Sequence, residues 1–290
     1  DPTHGTVNYV TREEASARNL TFYHNGTGQW YIKADSTNIV GKGERGRDSV
    51  RLESKERFHR GLFVIDVLHM PEGCGTWPAF WMYDEPWPLK GEIDIIENTN
   101  LATGNAAAMH TGTNCTMKHV AASAFQGAWN PGLLAQPAAD CYVKAAHQTE
   151  NQGCSLAFRD NTYGRPFNEE GGGIYATLWD SEGVRVWVFK RGCMPQDLVC
   201  GRPQPDTWGI PEAHFQLGPD CDEQQHFGNL KIVINLTFCG DWAGTSWLAS
   251  SCVTKGPSCD RYVRRHPRAF SEAYWRIQNI RVYKDPAQEL

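Results

Sequence analysis

The segment Gly91-Glu-Ile-Asp-Ile-Ile-Glu97 constrains this chain more than any other: three carboxylates fall within six residues, separated only by isoleucines. Isoleucine is branched at Cβ, which restricts χ1 and favours a half-buried strand over a helix. Side chains alternate along a strand, so Glu92 and Asp94 share one face while Ile93 and Ile95 take the other. Glu97 falls out of phase, on the isoleucine side, unless one extra residue is accommodated. A β-bulge at 95–96 does this and returns Glu97 to the face of Glu92 and Asp94, leaving the isoleucines as a buried side. The Cα atoms of Glu92 and Glu97 then lie roughly 13–14 Å apart, at about 3.3 Å per effective step. Leaning toward each other, their carboxyls reach roughly 5–6 Å, near the spacing of retaining glycosidases and short of the inverting one. The plain alternative is a strand whose acids face solvent, but three like charges on one face repel and need no isoleucine frame.

Upstream lies Cys74-Gly-Thr-Trp77-Pro78-Ala-Phe80-Trp81, read as a tryptophan-rich loop, and then Trp87-Pro88. This aromatic density suits stacking on sugar rings. The run G-C-G-T-W-P-A-F-W at 73–81, with W-P at 87–88 and G-E-I-D-I-I-E at 91–97, resembles glycoside hydrolase family 16. Within that family it is most similar to fungal endo-β-1,3(4)-glucanases of the laminarinase type, whose motif carries the extra bulge residue that lichenases lack. The resemblance continues through M-H-T at 109–111, G-G-G-I-Y-A-T-L-W at 171–179, V-W-V-F-K-R-G at 186–192 and N-L-T-F-C-G-D-W-A-G at 235–244. It covers nearly the whole chain.

The resemblance implies an all-β, two-sheet jelly-roll sandwich with a concave cleft, and no cofactor or catalytic metal. It implies that Glu92 is the nucleophile and Glu97 the acid/base. Asp94 sits between them, and its negative charge is expected to raise the pKa of the neighbouring acid, favouring a proton on Glu97. It places Arg51 and His110 at the cleft. Read from the residues alone, Arg51 is equally a surface ion pair and His110 a hydrogen-bonded core histidine. Trp81, Trp87 and Trp242 are the implied stacking platforms, although a buried core role serves Trp77 and Trp81 as well. After Glu97 the family pattern E-G-V-N reads E-N-T-N here. Asn100 matches as a rim contact, while Asn98 and Thr99 depart from the pattern and bear on linkage preference. Related enzymes carry a further sandwich strand before the D-P-T-H-G-T run, so one edge strand is expected outside this sequence.

The formal net charge of −5 and pI near 6.1 argue against nucleic acid, whose phosphates demand Lys and Arg, and suit a neutral β-glucan partner. No apolar run has the length of a membrane span. Ten cysteines without a C-x-x-C pair indicate disulfides and an extracellular compartment. Sequons at Asn19, Asn25, Asn114 and Asn235 fit a secreted, N-glycosylated monomer, though Asn235 falls in a buried strand. Cys193 and Cys200 flank a short turn segment, and related enzymes usually lack both cysteines, so the two are expected to bond to each other, leaving the other eight to pair among themselves.

Further elements follow from pattern. Thr11 with Glu14 resembles a capping box for one helical turn. Strands are expected at 30–32, 49–54, 61–68, 174–179, 184–190, 230–238 and 274–283. Residues 119–170 read as long loops pinned by disulfides, and Arg261, Arg264, Arg265 and Arg268 as a solvated basic face. With no repeat or linker, residues 1–290 read as one catalytic domain. Two rival functions use the same features: a wall-remodelling glucan transglycosylase, and a non-catalytic β-glucan-binding protein, against which the acid set argues.

Overall fold

The computed structural model describes residues 1–284. The isoleucine-framed segment folds as the strand Glu92–Glu97, in the middle of a seven-stranded antiparallel sheet. Across that sheet the order is Ala128–Trp129, Cys154–Asp160, Gly104–His110, Glu92–Glu97, Thr76–Tyr83, Lys231–Phe238 and Arg51–Glu53. A second antiparallel sheet of seven packs against it, ordered Ala213–Gln216, Gly183–Lys190, Gly173–Trp179, Gly61–His69, Tyr274–Tyr283, Gln29–Lys33 and Thr21–His24. This is the two-sheet sandwich expected from the sequence.

Ile93, Ile95 and Ile96, each 1 % exposed or less, pack with Phe80 and Met82 of the neighbouring strand. The same core receives Phe63, Ile65, Val67 and Tyr175 from the opposing sheet. Each isoleucine so buried contributes about 1.5–3 kcal/mol, which holds the carboxylates on the outer face at the cost of any other register. Gly91 turns the chain into this strand at φ +79°, where a Cβ would lie 2.4 Å from the Phe227 ring. The helix Arg12–Ala17 forms with both halves of the capping box, Thr11 bonding Glu14 N–H and Glu14 bonding Thr11 N–H.

Four readings change. The tryptophan run is not a loop: Thr76–Tyr83 is a full strand, paired with both Glu92–Glu97 and Lys231–Phe238. Residues 119–170 contain the sheet strand Cys154–Asp160 and the helix Gly164–Glu169. The expected strand over 49–54 divides at Val50. Arg47–Ser49 pairs in parallel with Val7–Tyr9, and Arg51–Glu53 forms the edge of the carboxylate sheet. Disulfides join Cys74 to Cys252, Cys115 to Cys221, Cys141 to Cys154 and Cys239 to Cys259. Cys193 and Cys200 do not bond to each other; both are exposed thiols. The helix Gln196–Val199 separates them, and the Cys200 sulfur accepts from Gln196 Nε2 at 3.2 Å, back along its own helix.

Candidate active site

Register fixes which side chains share the outer face of the carboxylate sheet. Glu97, Asp94 and Glu92 lie opposite Ala79, Trp81 and Tyr83 on one neighbouring strand, and opposite Ala106, Ala108 and His110 on the other. The alternation breaks where the sequence requires: Ile96 pairs with Phe80 and Asp94 with Trp81, leaving Ile95 as the extra residue of a bulge. Asn105, 1 % exposed, serves that bulge with both ends of its amide. Its Oδ1 accepts Glu97 N–H at 2.9 Å, and its Nδ2 donates to the Ile95 carbonyl at 2.8 Å.

Each glutamate has its own indole. Trp77 Nε1 donates to Glu97 Oε1 at 2.7 Å, and Trp87 Nε1 donates to Glu92 Oε2. Trp87 remains 42 % exposed. Asp94 is only 2 % exposed, and its Oδ2 stands 2.9 Å from His110 Nε2, close but misaligned for a good hydrogen bond.

Burial dominates the electrostatics. It pushes Glu92 up to about 8, helped by the charge of Asp94 and opposed by His110 and the Trp87 N–H. It pushes Glu97 up to about 7, opposed by the Trp77 N–H and His110 and helped by the charge of Glu92. Asp94 rises well above the ordinary range, from burial and the charge of Glu97. The charges of Asp94 and Glu97 act on each other as a buried pair, and the charge of Asp94 also raises Glu92. Glu92, Asp94 and His110 each place one ligand atom within 4.8 Å of the others, so among the described residues this trio could hold a metal ion.

Arg51 lies along the same face. Its guanidinium rests 5.0 Å from the Trp81 ring centroid and 5.5 Å from that of Tyr83, and it pairs with Glu53 at 2.8 Å. Trp81 Nε1 donates to Asn235 Oδ1 at 2.7 Å, and Asn235 Nδ2 donates to the Tyr9 hydroxyl at 3.0 Å. Trp242 meets Trp77 edge-on, with centroids 5.8 Å apart. Asn100 is not at the rim. Buried at φ +57°, it accepts Gly75 N–H at 2.8 Å and donates to Ala243 O and Ser246 Oγ, bracing the Gly75 and Trp242 turns.

Trp77, Tyr83 and Asn105 were not singled out as site residues from sequence. Trp77, Trp81 and Tyr83 do repeat with strand periodicity, at i, i+4 and i+6, which would have found the face once the segment is read as a strand. Asn105 offers no such signal.

The two-sheet sandwich thus carries an acid pair on its central strand, one acid on each side of a bulge. Residues 1–283 match the family model for the XgeA-like catalytic domain of glycoside hydrolase family 16, and the chain belongs to that family. It is 41 % identical to an endo-1,3(4)-beta-glucanase of Arthroderma benhamiae over 98 % of this chain and 60 % of that protein. It is 35 % identical to the endo-1,3(4)-beta-glucanase xgeA of Emericella nidulans, over 98 % of this chain and 43 % of that protein. The chain thus spans about half the length of these relatives. Laminarinase 16A of Phanerochaete chrysosporium, solved with 6-O-glucosyl-laminaritriose in its donor and acceptor sites, superposes at TM-score 0.88 with 39 % identity, covering 98 % of this chain and 92 % of that one. An elongating family 16 beta-1,3-glucosyltransferase superposes equally, at TM-score 0.88 and 36 % identity, with the same coverage.

Proposed function

We propose that this chain is the catalytic unit of a secreted, endo-acting β-1,3(4)-glucanase that works by retaining double displacement. The observation that carries the reading is the bulged strand itself, which presents Glu92 and Glu97 on one face with a separate indole donor for each. Three carboxyls raised together by burial do not all ionise at neutral pH. Asp94, the least exposed, holds the shared proton. The Trp87 N–H stabilises the Glu92 anion. Glu92 attacks the anomeric carbon as the glycosidic bond breaks, and Glu97 delivers its proton to the leaving oxygen. Glu97, now ionised, takes a proton from water, which displaces Glu92 from the glycosyl ester.

Trp87, Trp81 and Trp242 are the sugar-stacking rings in this reading, with Arg51 beside Trp81 and His110 beside Asp94. Four disulfides and the exposed Asn19, Asn25 and Asn114 suit an extracellular, N-glycosylated monomer. Asn235, with its amide engaged at both ends, is unavailable for glycan. Proton NMR during early hydrolysis of laminari-oligosaccharides tests the mechanism. The β-anomer is expected first, and initial release of the α-anomer contradicts double displacement. The similarity to an elongating glucosyltransferase favours a second reading, in which a sugar hydroxyl replaces water at the glycosyl ester. Products longer than the starting oligomer distinguish it.

A further inference from the structure

We infer that Asn105 is a positioning residue for the reaction, a built-in lock that keeps Glu97 on the catalytic face. The reasoning begins with what the bulge does to the ladder. Toward the strand Gly104–His110, Asp94 pairs with Ala108 and Glu97 with Ala106, so Ile95 and Ile96 together oppose the single residue Ala107. A bulge leaves backbone groups without their regular ladder partners, and nothing in an isoleucine doublet decides which of the two residues is the extra one. A one-residue relocation of the irregularity carries Glu97 to the core face, since side-chain direction has period 2.

The carboxamide of Asn105 is shaped like one peptide unit, with an acceptor and a donor on the same planar group. It stands in for the missing stretch of partner backbone by accepting Glu97 N–H at 2.9 Å and donating to Ile95 O at 2.8 Å. The lock is itself anchored. Asn105 N–H donates to Thr162 Oγ1 at 2.9 Å, and Thr162 Oγ1 donates to Arg159 O at 2.6 Å. Asn105 is 1 % exposed, so it has no route to substrate and acts only through Glu97. Neither aspartate, which when ionised cannot donate, nor leucine, which has no polar atoms, reproduces both bonds at this length.

The inference rests on Glu97 as acid/base, so its test runs beside Glu97→Ala. Two variants remove the amide: Asn105→Ala, and Asn105→Leu, which keeps the buried volume if the alanine cavity prevents folding. Ser49→Ala serves as the control, removing one buried hydrogen bond, from Ser49 Oγ to Leu236 O, outside the chain that anchors Asn105. With laminarin, kcat of the Asn105 variants is expected to fall roughly 10²-fold, the scale of an ångström-size misplacement, with KM little changed. An activated aryl β-glucoside, which needs little protonation, should lose far less, and azide should restore turnover of the glycosyl-enzyme as a glycosyl azide. Ser49→Ala should lower thermal stability while keeping the parent's ratio of aryl to laminarin rates. If Glu97→Ala shows this leaving-group dependence and azide rescue but both Asn105 variants slow all substrates equally, or not at all, Asn105 is only a structural residue and the inference is overturned. If Glu97→Ala itself shows neither signature, the acid/base reading beneath it fails, and the inference falls with it.

Discussion

Trp77 donates its indole N–H to Glu97 Oε1 at 2.7 Å, on the strand directly beside the carboxylate strand. The bond favours the ionised glutamate and works against burial, which is the largest influence and raises the group to about 7. Trp77→Phe keeps an aromatic ring against Trp242 but removes the donor. Hydrogen bonds to charged groups contribute about 1.5–3 kcal/mol, and one pKa unit is about 1.4 kcal/mol. The basic limb of the kcat/KM profile, set by loss of the Glu97 proton, should therefore move upward by about one to two pH units. A limb that stays near its parental position shows that the bond does not tune the acid.

Glu92 is raised from an ordinary 4.5 to about 8, and burial is the largest cause. In that window the folded chain binds more protons at this position than the unfolded chain does. The stability it contributes is fully present below about pH 4.5 and is lost as pH rises toward about 8. Glu92→Gln, which cannot ionise, should abolish turnover yet flatten the pH dependence of stability. Denaturant titrations at both ends of the window check this. The variant should gain on the parent at the alkaline end, and equal differences at the two ends contradict the shift.

Much of this arrangement is legible in the chain itself, and the reasons are local. The isoleucine doublet in Glu-Ile-Asp-Ile-Ile-Glu forces a choice between a bulge and a buried glutamate, and the bulge is what forms. The long apolar runs at Gly61–His69 and Lys231–Phe238 announce central strands because nothing else explains β-branched residues without polar alternation. The tryptophan strand was hidden by Pro78 and the flanking glycines, which locally read as turn chemistry until pairing on both sides overrides them. Cys154–Asp160 was hidden by its half-polar character at the side of the sheet. Asn105 and Asn100 lay beyond reach for a different reason: a buried amide is placed by where its partners fall in space, and no spacing in the sequence encodes that.

Asn100 joins two turns that are remote in sequence, accepting from Gly75 N–H and donating to Ala243 O at 3.1 Å and Ser246 Oγ at 3.0 Å. Asn100→Ala leaves the Gly75 donor and the Ala243 acceptor unpaired and places alanine at a left-handed φ of +57°. Each buried orphan costs about 1–3 kcal/mol, so a loss of about 3 kcal/mol or more is expected in denaturant unfolding. Because the turn bearing Trp242 is released while the carboxylate strand is not, KM for laminarin should rise more than kcat falls. A variant with parental stability would show that the brace is dispensable.

The cysteines give the most direct check on the described structure. Four disulfides consume eight cysteines, leaving Cys193 and Cys200 as exposed thiols. Unreduced protein should therefore titrate with two thiols per chain, in the native as well as the unfolded state. Peptide mapping after alkylation without reductant should place both labels at Cys193 and Cys200. The short helix Gln196–Val199 lies between the two, and Cys200 Sγ accepts from Gln196 Nε2 instead. A bond between them would close only a small loop and restrict the unfolded chain by about 3 kcal/mol or less. Absence of any label, with the two peptides recovered joined, would instead establish the pairing that the sequence alone suggests.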